Sequence, residues 1–127
     1  MKLNFTKQTN KGYNELLNLL ENKFTEKGFR VLHIHDVSNN LKEKGFPFED
    51  YSIVEVCNAA FAHKVLSESK EAGSIMPCKI LVYKDGGKTF VSFPLPTKLI
   101  ESLGMQEFID IAKEIESTFI NVIEEVA

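Results

Sequence analysis

Two dipeptides carry the residues most able to do chemistry in this sequence, Cys57-Asn58 and Pro77-Cys78. A thiol beside a helix N-terminus has its thiolate stabilised by the backbone N–H dipoles. Two thiols on adjoining strands can also form a redox pair or share a soft metal. Free cysteine is among the most buried residue types, so two space-filling thiols at a strand–helix corner are the structural alternative. Lys79, directly after Cys78, could supply positive charge for an anionic group. His33 and His35 form an H-x-H pair whose side chains share one strand face. With Cys57 and Cys78 they make up a two-cysteine, two-histidine set of the kind zinc accepts, if the fold brings the pairs together. Glu55 is expected on a wet sheet face, Asp36 as a turn former at a strand end, and His63 on a helix surface. Gly-rich phosphate loops, nucleophile elbows and C-x-x-C or H-E-x-x-H metal spacings are all missing from the sequence.

The elements that must position these residues are legible from periodicity. Residues 2–7 read as a strand, and apolar residues at 13, 16, 17, 20 and 24 fall at helical spacing. Glu15 suits the first turn of that helix, and Gly28 suits a left-handed cap with Phe29 folding back. Residues 29–37 form a second strand, and one short helix is expected around Leu41. Residues 51–57 carry apolar groups on both faces, which predicts an interior strand. Asn58 is a good N-cap for a helix over 59–71. Asp85-Gly86-Gly87-Lys88 is a hairpin signal between strands 78–84 and 89–95, with Cys78, Ile80 and Val82 on the face of Val91, Phe93 and Leu95. Pro94 and Pro96 mark that last strand's end or an edge. A turn or two of helix fits 99–103. The final helix, 106–126, has a broad apolar stripe through Phe108, Ala112, Ile115, Phe119, Val122 and Val126. The breadth favours packing on a sheet over a coiled-coil seam, while a dimer using the helix's spare edge stays open.

The order β-α-β-(α)-β-α-β-β-α is economically solved by an α+β two-layer sandwich, a sheet of about five strands with helices packed on one face. The length of 127 residues fits a single domain over 1–127. With 43% hydrophobic and 26% charged residues, seven Gly and four Pro, collagen-like and disordered classes are excluded. The net charge of −3 gives no basic footprint for nucleic acid. No apolar run is long enough to span a bilayer and no signal-peptide core opens the chain, so the expectation is a soluble cytoplasmic protein without a membrane partner. Residues 1–44 hold eight Lys/Arg against five acids, and residues 99–127 hold one against seven. That asymmetry is a solvated acidic helix face, or else complementarity between the two ends of the chain.

The residues Gly28-Phe29 through Asp36-Val37, Cys57-Asn58, Leu66, Gly73, Met76-Pro77-Cys78 and Val82-Tyr83 resemble the bacterial and archaeal "domain of unknown function 302" family. The resemblance covers about residues 12–100, followed by the amphipathic helix at about 106–126. It implies a small α+β fold, often dimeric, whose biochemical activity is not established. Ala59 and Lys79 depart from the family's habits of Cys-Asn-Pro and of Asn after Pro-Cys. Three expectations follow. The first is a pocket for a small ligand or soft metal at Cys57, Asn58, Pro77, Cys78 and Lys79, the nature of any cofactor being open. The second is a thiol redox protein cycling Cys57 and Cys78. The third is a non-catalytic homodimerising module with the acidic C-terminal helix at its interface.

Overall fold

The structure, a computed structural model, describes residues 2–127. One sheet of five strands organises it, in the spatial order β1 (Asn4–Thr9), β5 (Lys88–Pro94), β4 (Cys78–Asp85), β3 (Tyr51–Cys57), β2 (Arg30–Asp36), with all neighbours antiparallel. The helices are α1 (Tyr13–Glu26), α2 (Val37–Glu43), α3 (Ala59–Glu68), α4 (Pro96–Leu103) and α5 (Ile109–Val126). The result is the α+β two-layer sandwich, with β3 an interior strand as its two apolar faces require.

Local chemistry sets the boundaries. Gly28 adopts φ +85°, open only to residues without a Cβ penalty, and lets the Phe29 amide donate to the Phe24 carbonyl at 2.9 Å. Asp36 caps α2 by accepting from the Asn39 amide at 3.0 Å, so this helix begins sooner than its centre at Leu41 suggests. The helix expected over 59–71 stops at Glu68. Ser69 turns extended there, and Lys70–Ile75 continue as a 3-10 segment that buries Ala72. The turn expected over 99–103 is the full helix α4, with Pro96 in its first turn and Gly104 left-handed at its end. The first strand lies two residues later than expected. A shift of two keeps Phe5 on the same face.

Alternation divides the sheet. Val54 and Val56, Ile80 and Val82, Val91 and Phe93 face the helices and are buried against Leu16, Leu20 and Phe24 of α1 and Phe119, Val122, Ile123 and Val126 of α5. Phe119 is the hub, with ring centroids 4.9 Å from Phe24, 5.4 Å from Phe29 and 5.4 Å from Phe93, each pair edge to face. The stripe of α5 is thus spent on its own chain. The acidic end of that helix also pairs internally: Glu124 with Lys7, and Glu125 with Lys23 at 3.2 Å and Lys27 at 4.0 Å. Complementarity between the chain's ends therefore holds within one chain.

The opposite face carries Tyr51, Ile53 and Glu55 on β3, and Lys79, Leu81 and Tyr83 on β4, all half-buried or exposed. Tyr51, Tyr83 and Phe90 sit in register and stack, with centroids 5.4 Å and 5.5 Å apart. No helix among the described residues is long and apolar enough to cross a membrane.

Candidate functional site

The site lies where β3 ends and β4 begins. Antiparallel pairing sets Val56 opposite Cys78, so the Cys57-Asn58 and Pro77-Cys78 junctions adjoin at one end of the sheet. Asn58 is the N-cap of α3. Its Oδ1 accepts from the Ala60 and Phe61 amides at 3.0 and 3.2 Å, and its Nδ2 donates to the Gly28 carbonyl at 3.3 Å. One side chain therefore starts α3 and ties that start to the beginning of β2. Both amide ends are committed to the fold. The Met76–Pro77 peptide bond, just ahead of β4, is cis.

Behind this corner is a cavity of about 280 Å³. All five residues singled out from the sequence, Cys57, Asn58, Pro77, Cys78 and Lys79, contribute to its wall. The remainder is almost wholly apolar. Phe29, Phe93 and Phe119 close it on the side of the main core. Val65, Ile100, Phe108 and Ala112 close it on the side of a second buried cluster formed by α3, the 3-10 segments, α4 and the start of α5. The cavity is the space between two cores.

The electrostatics of the wall are quiet. Burial pushes the Cys78 thiol up to about 11, the adjoining Cys57 adds to the rise, and Lys79 opposes it. Cys78 is thus a protonated thiol at neutral pH. Among the described residues no buried side-chain nitrogen or oxygen lacks a hydrogen-bond partner. Lys79 is exposed and sits opposite Glu55 in the β3–β4 register, on the face away from Ile80.

Other sequence candidates fall elsewhere. His33 and His35 lie on β2, paired with Glu55 and Ile53 on the open face, with ring centroids 4.3 Å apart. His35 Nε2 is 3.2 Å from Glu55 Oε1. Cys78 shares the helix-facing side with Ile80 and Val82, so the two-cysteine, two-histidine set is not assembled. Among the described residues no three His, Cys, Asp or Glu side chains converge as a metal site. Both cysteines are free. Cys78 pairs in register with Val56 rather than Cys57, and both thiols contribute to the chamber wall, close enough for Cys57 to raise the Cys78 thiol. Sequence reasoning missed the apolar wall. Phe108, Ala112 and Ile115 have the spacing of ordinary packing, and the small Ala112 on the otherwise bulky stripe of α5 was the available signal.

Sheet order, cap and cavity define a class: a small two-layer α+β protein with an apolar chamber at the sheet's end. The sequence profile described as Domain of unknown function DUF302 matches residues 5–126, beyond the 12–100 stretch that holds the motif residues. The chain belongs to this domain of unknown function 302 family. It is similar to a protein solved as "Crystal structure of uncharacterized conserved protein DUF302 from Bacillus stearothermophilus", with 32% identity, a TM-score of 0.94 and 100% of each chain covered. No curated protein matches the sequence.

Proposed function

We propose that the protein binds a small molecule with an apolar body in the chamber beside Cys57 and Cys78. The observation that carries this reading is the chamber itself, about 280 Å³ with an almost wholly apolar wall. Protein interiors pack to crystal density, with few voids larger than a water. The chamber is partly open to solvent, and its apolar wall stays wetted, at about 25 cal/mol per Å² of apolar surface, until something covers it. Apolar walls do not hold ordered water well, so an apolar occupant is the favoured filling. A soft metal is less well supported, because among the described residues no three His, Cys, Asp or Glu side chains converge on this corner. Redox cycling is less well supported because burial holds the Cys78 thiol in its protonated, poorly nucleophilic form.

The test is methyl NMR of the protein titrated with naphthalene methanol. Shifts confined to wall residues such as Val65, Ile100, Ala112 and Ile115 are expected. An unmoved spectrum up to the probe's solubility defeats the reading.

A second reading, homodimerisation, is favoured by the open face of the sheet. Five strands at about 4.8 Å spacing and about 20 Å length project roughly 500 Å², and the accessible surface of such a face exceeds its projection. That approaches the roughly 800 Å² per partner of a stable interface. The Tyr51–Tyr83–Phe90 ladder at the hairpin end and the neighbouring Ile53 and Leu81 would form the apolar part, with the Glu55–Lys79 row as its polar margin. Sedimentation at micromolar concentration should give a dimer that Tyr83→Glu converts to a monomer. A wild-type monomer removes this reading and leaves the chamber untouched.

A further inference from the structure

We infer that the occupant of the chamber is an uncharged aromatic molecule of about a dozen non-hydrogen atoms, held by shape and ring contacts rather than by a buried ionic anchor. The inference rests on the ligand-binding reading above and names the chemistry of its ligand.

Size comes first. A dry cavity of about 150 Å³ accommodates benzene, with its six carbons. Scaling to about 280 Å³ gives about eleven non-hydrogen atoms, the bulk of a fused two-ring system.

The shape of the wall points to rings. Phenylalanines enter from three directions: Phe29 and Phe93 from the sheet side, Phe61 from α3, and Phe108 and Phe119 from the start and middle of the last helical stretch. Edge-to-face packing is already the habit of this core, with Phe29 and Phe119 at 5.4 Å and an interplanar angle of 70°. An aromatic guest continues that pattern and gains ring–ring attraction beyond its buried area.

Neutrality follows from what the wall withholds. An ion moved from water into an apolar site must find a partner or pay a large desolvation cost. Asn58, the one amide in the wall, has Oδ1 and Nδ2 engaged with the Ala60, Phe61 and Gly28 backbone. The Cys78 thiol carries no charge at neutral pH and is a weak donor. Ser74 is the remaining hydroxyl, and Lys79 is the single charged residue, exposed and opposite Glu55. A carboxylate or ammonium inside would therefore face neither a buried counter-charge nor a free donor set. A hydroxyl or carbonyl at one end of the guest is tolerated beside Ser74 and the thiols.

Three probes of nearly equal size separate the outcomes near neutral pH: naphthalene methanol, naphthoate and naphthylmethylammonium, titrated into the full chain by calorimetry and methyl NMR. The alcohol is expected to bind at least about tenfold more tightly than either ion. Binding of the carboxylate or the ammonium within tenfold of the alcohol, or more tightly, overturns the uncharged class while leaving the chamber a ligand site. Loss of carboxylate binding in Lys79→Ala would then identify the anchor and overturn the class by a second route. If none of the three shifts a wall methyl, the inference fails together with the ligand-binding reading beneath it.

Discussion

Ala112→Leu gives the sharpest test of whether the chamber is a true void. Ala112 is 2% exposed, sits on α5 and contributes to the wall. Leucine adds three carbons. At about 0.8 kcal/mol per buried methylene they contribute about 2.4 kcal/mol if they enter empty space. Fixing the leucine rotamer costs roughly 0.5–1 kcal/mol, leaving about 1.5 kcal/mol of stabilisation. The same swap in a filled core costs about 1–3 kcal/mol through strain, so the sign of the change is diagnostic. Urea unfolding should show a higher midpoint with an unchanged slope, and the thermal midpoint should rise by about 5 °C for a chain of this length. Naphthalene methanol binding should weaken at least tenfold in the same variant. Destabilisation by more than about 1 kcal/mol together with undiminished binding refutes the chamber as described.

Three further outcomes follow from the same geometry. Cys78 titrates near 11 in the fold against a reference of 9.0, so the fold favours the protonated thiol; its contribution is complete below about pH 9 and is lost as pH rises toward 11, by about 3 kcal/mol at most. Comparing urea midpoints of wild type and Cys78→Ala at pH 8 and pH 10.5 checks this: the gap between them should narrow at the higher pH, and a constant gap contradicts it. Asn58→Ala removes the cap of α3 and its tie to Gly28 and should cost about 1–2 kcal/mol in denaturant unfolding, with Asn58→Asp restoring the cap but not the tie. In hydrogen exchange, bound naphthalene methanol should slow amides of α3 and α4 more than those of α1. Their cluster of five buried residues, Val65, Ala72, Ile100, Phe108 and Ala112, is the smaller of the two cores, and uniform protection would contradict that division.

The elements that periodicity and punctuation specify were legible. β3 spans residues 51–57 as its alternation demands, and α1 ends at a left-handed Gly28 as the cap rule requires. The Cys57-Asn58 and Pro77-Cys78 dipeptides are legible as a motif, but their proximity is not, because a strand–helix–strand unit can return parallel or antiparallel; here β3 and β4 pair antiparallel and set Val56 opposite Cys78. The boundaries that moved were those set by tertiary burial. α3 stops at Glu68 so that the 3-10 segment can bury Ala72, and α5 begins at Ile109 after a 3-10 turn that buries Phe108. The chamber wall was not legible, because a phenylalanine lining a void and one filling a core have the same helical spacing. His33 and His35 show the converse: a suggestive spacing placed on the open face opposite Glu55 and Ile53, with no convergent set of metal ligands among the described residues.

The distribution of polarity explains why the two cysteines need not be the chemistry of this corner. Asn58 commits both polar atoms of its side chain to holding α3 against β2, and Cys78 is half-buried at the start of β4, on the helix-facing side with Ile80 and Val82. A thiol at such a position is small, apolar and poorly nucleophilic while protonated. The motif residues then act as the frame of an opening: the cap fixes where α3 begins, the Pro77 junction fixes where β4 begins, and the thiols fill the frame without closing it. On the ligand-binding reading, a guest entering that opening covers the apolar wall while the Asn58 cap and its tie to Gly28 stay in place.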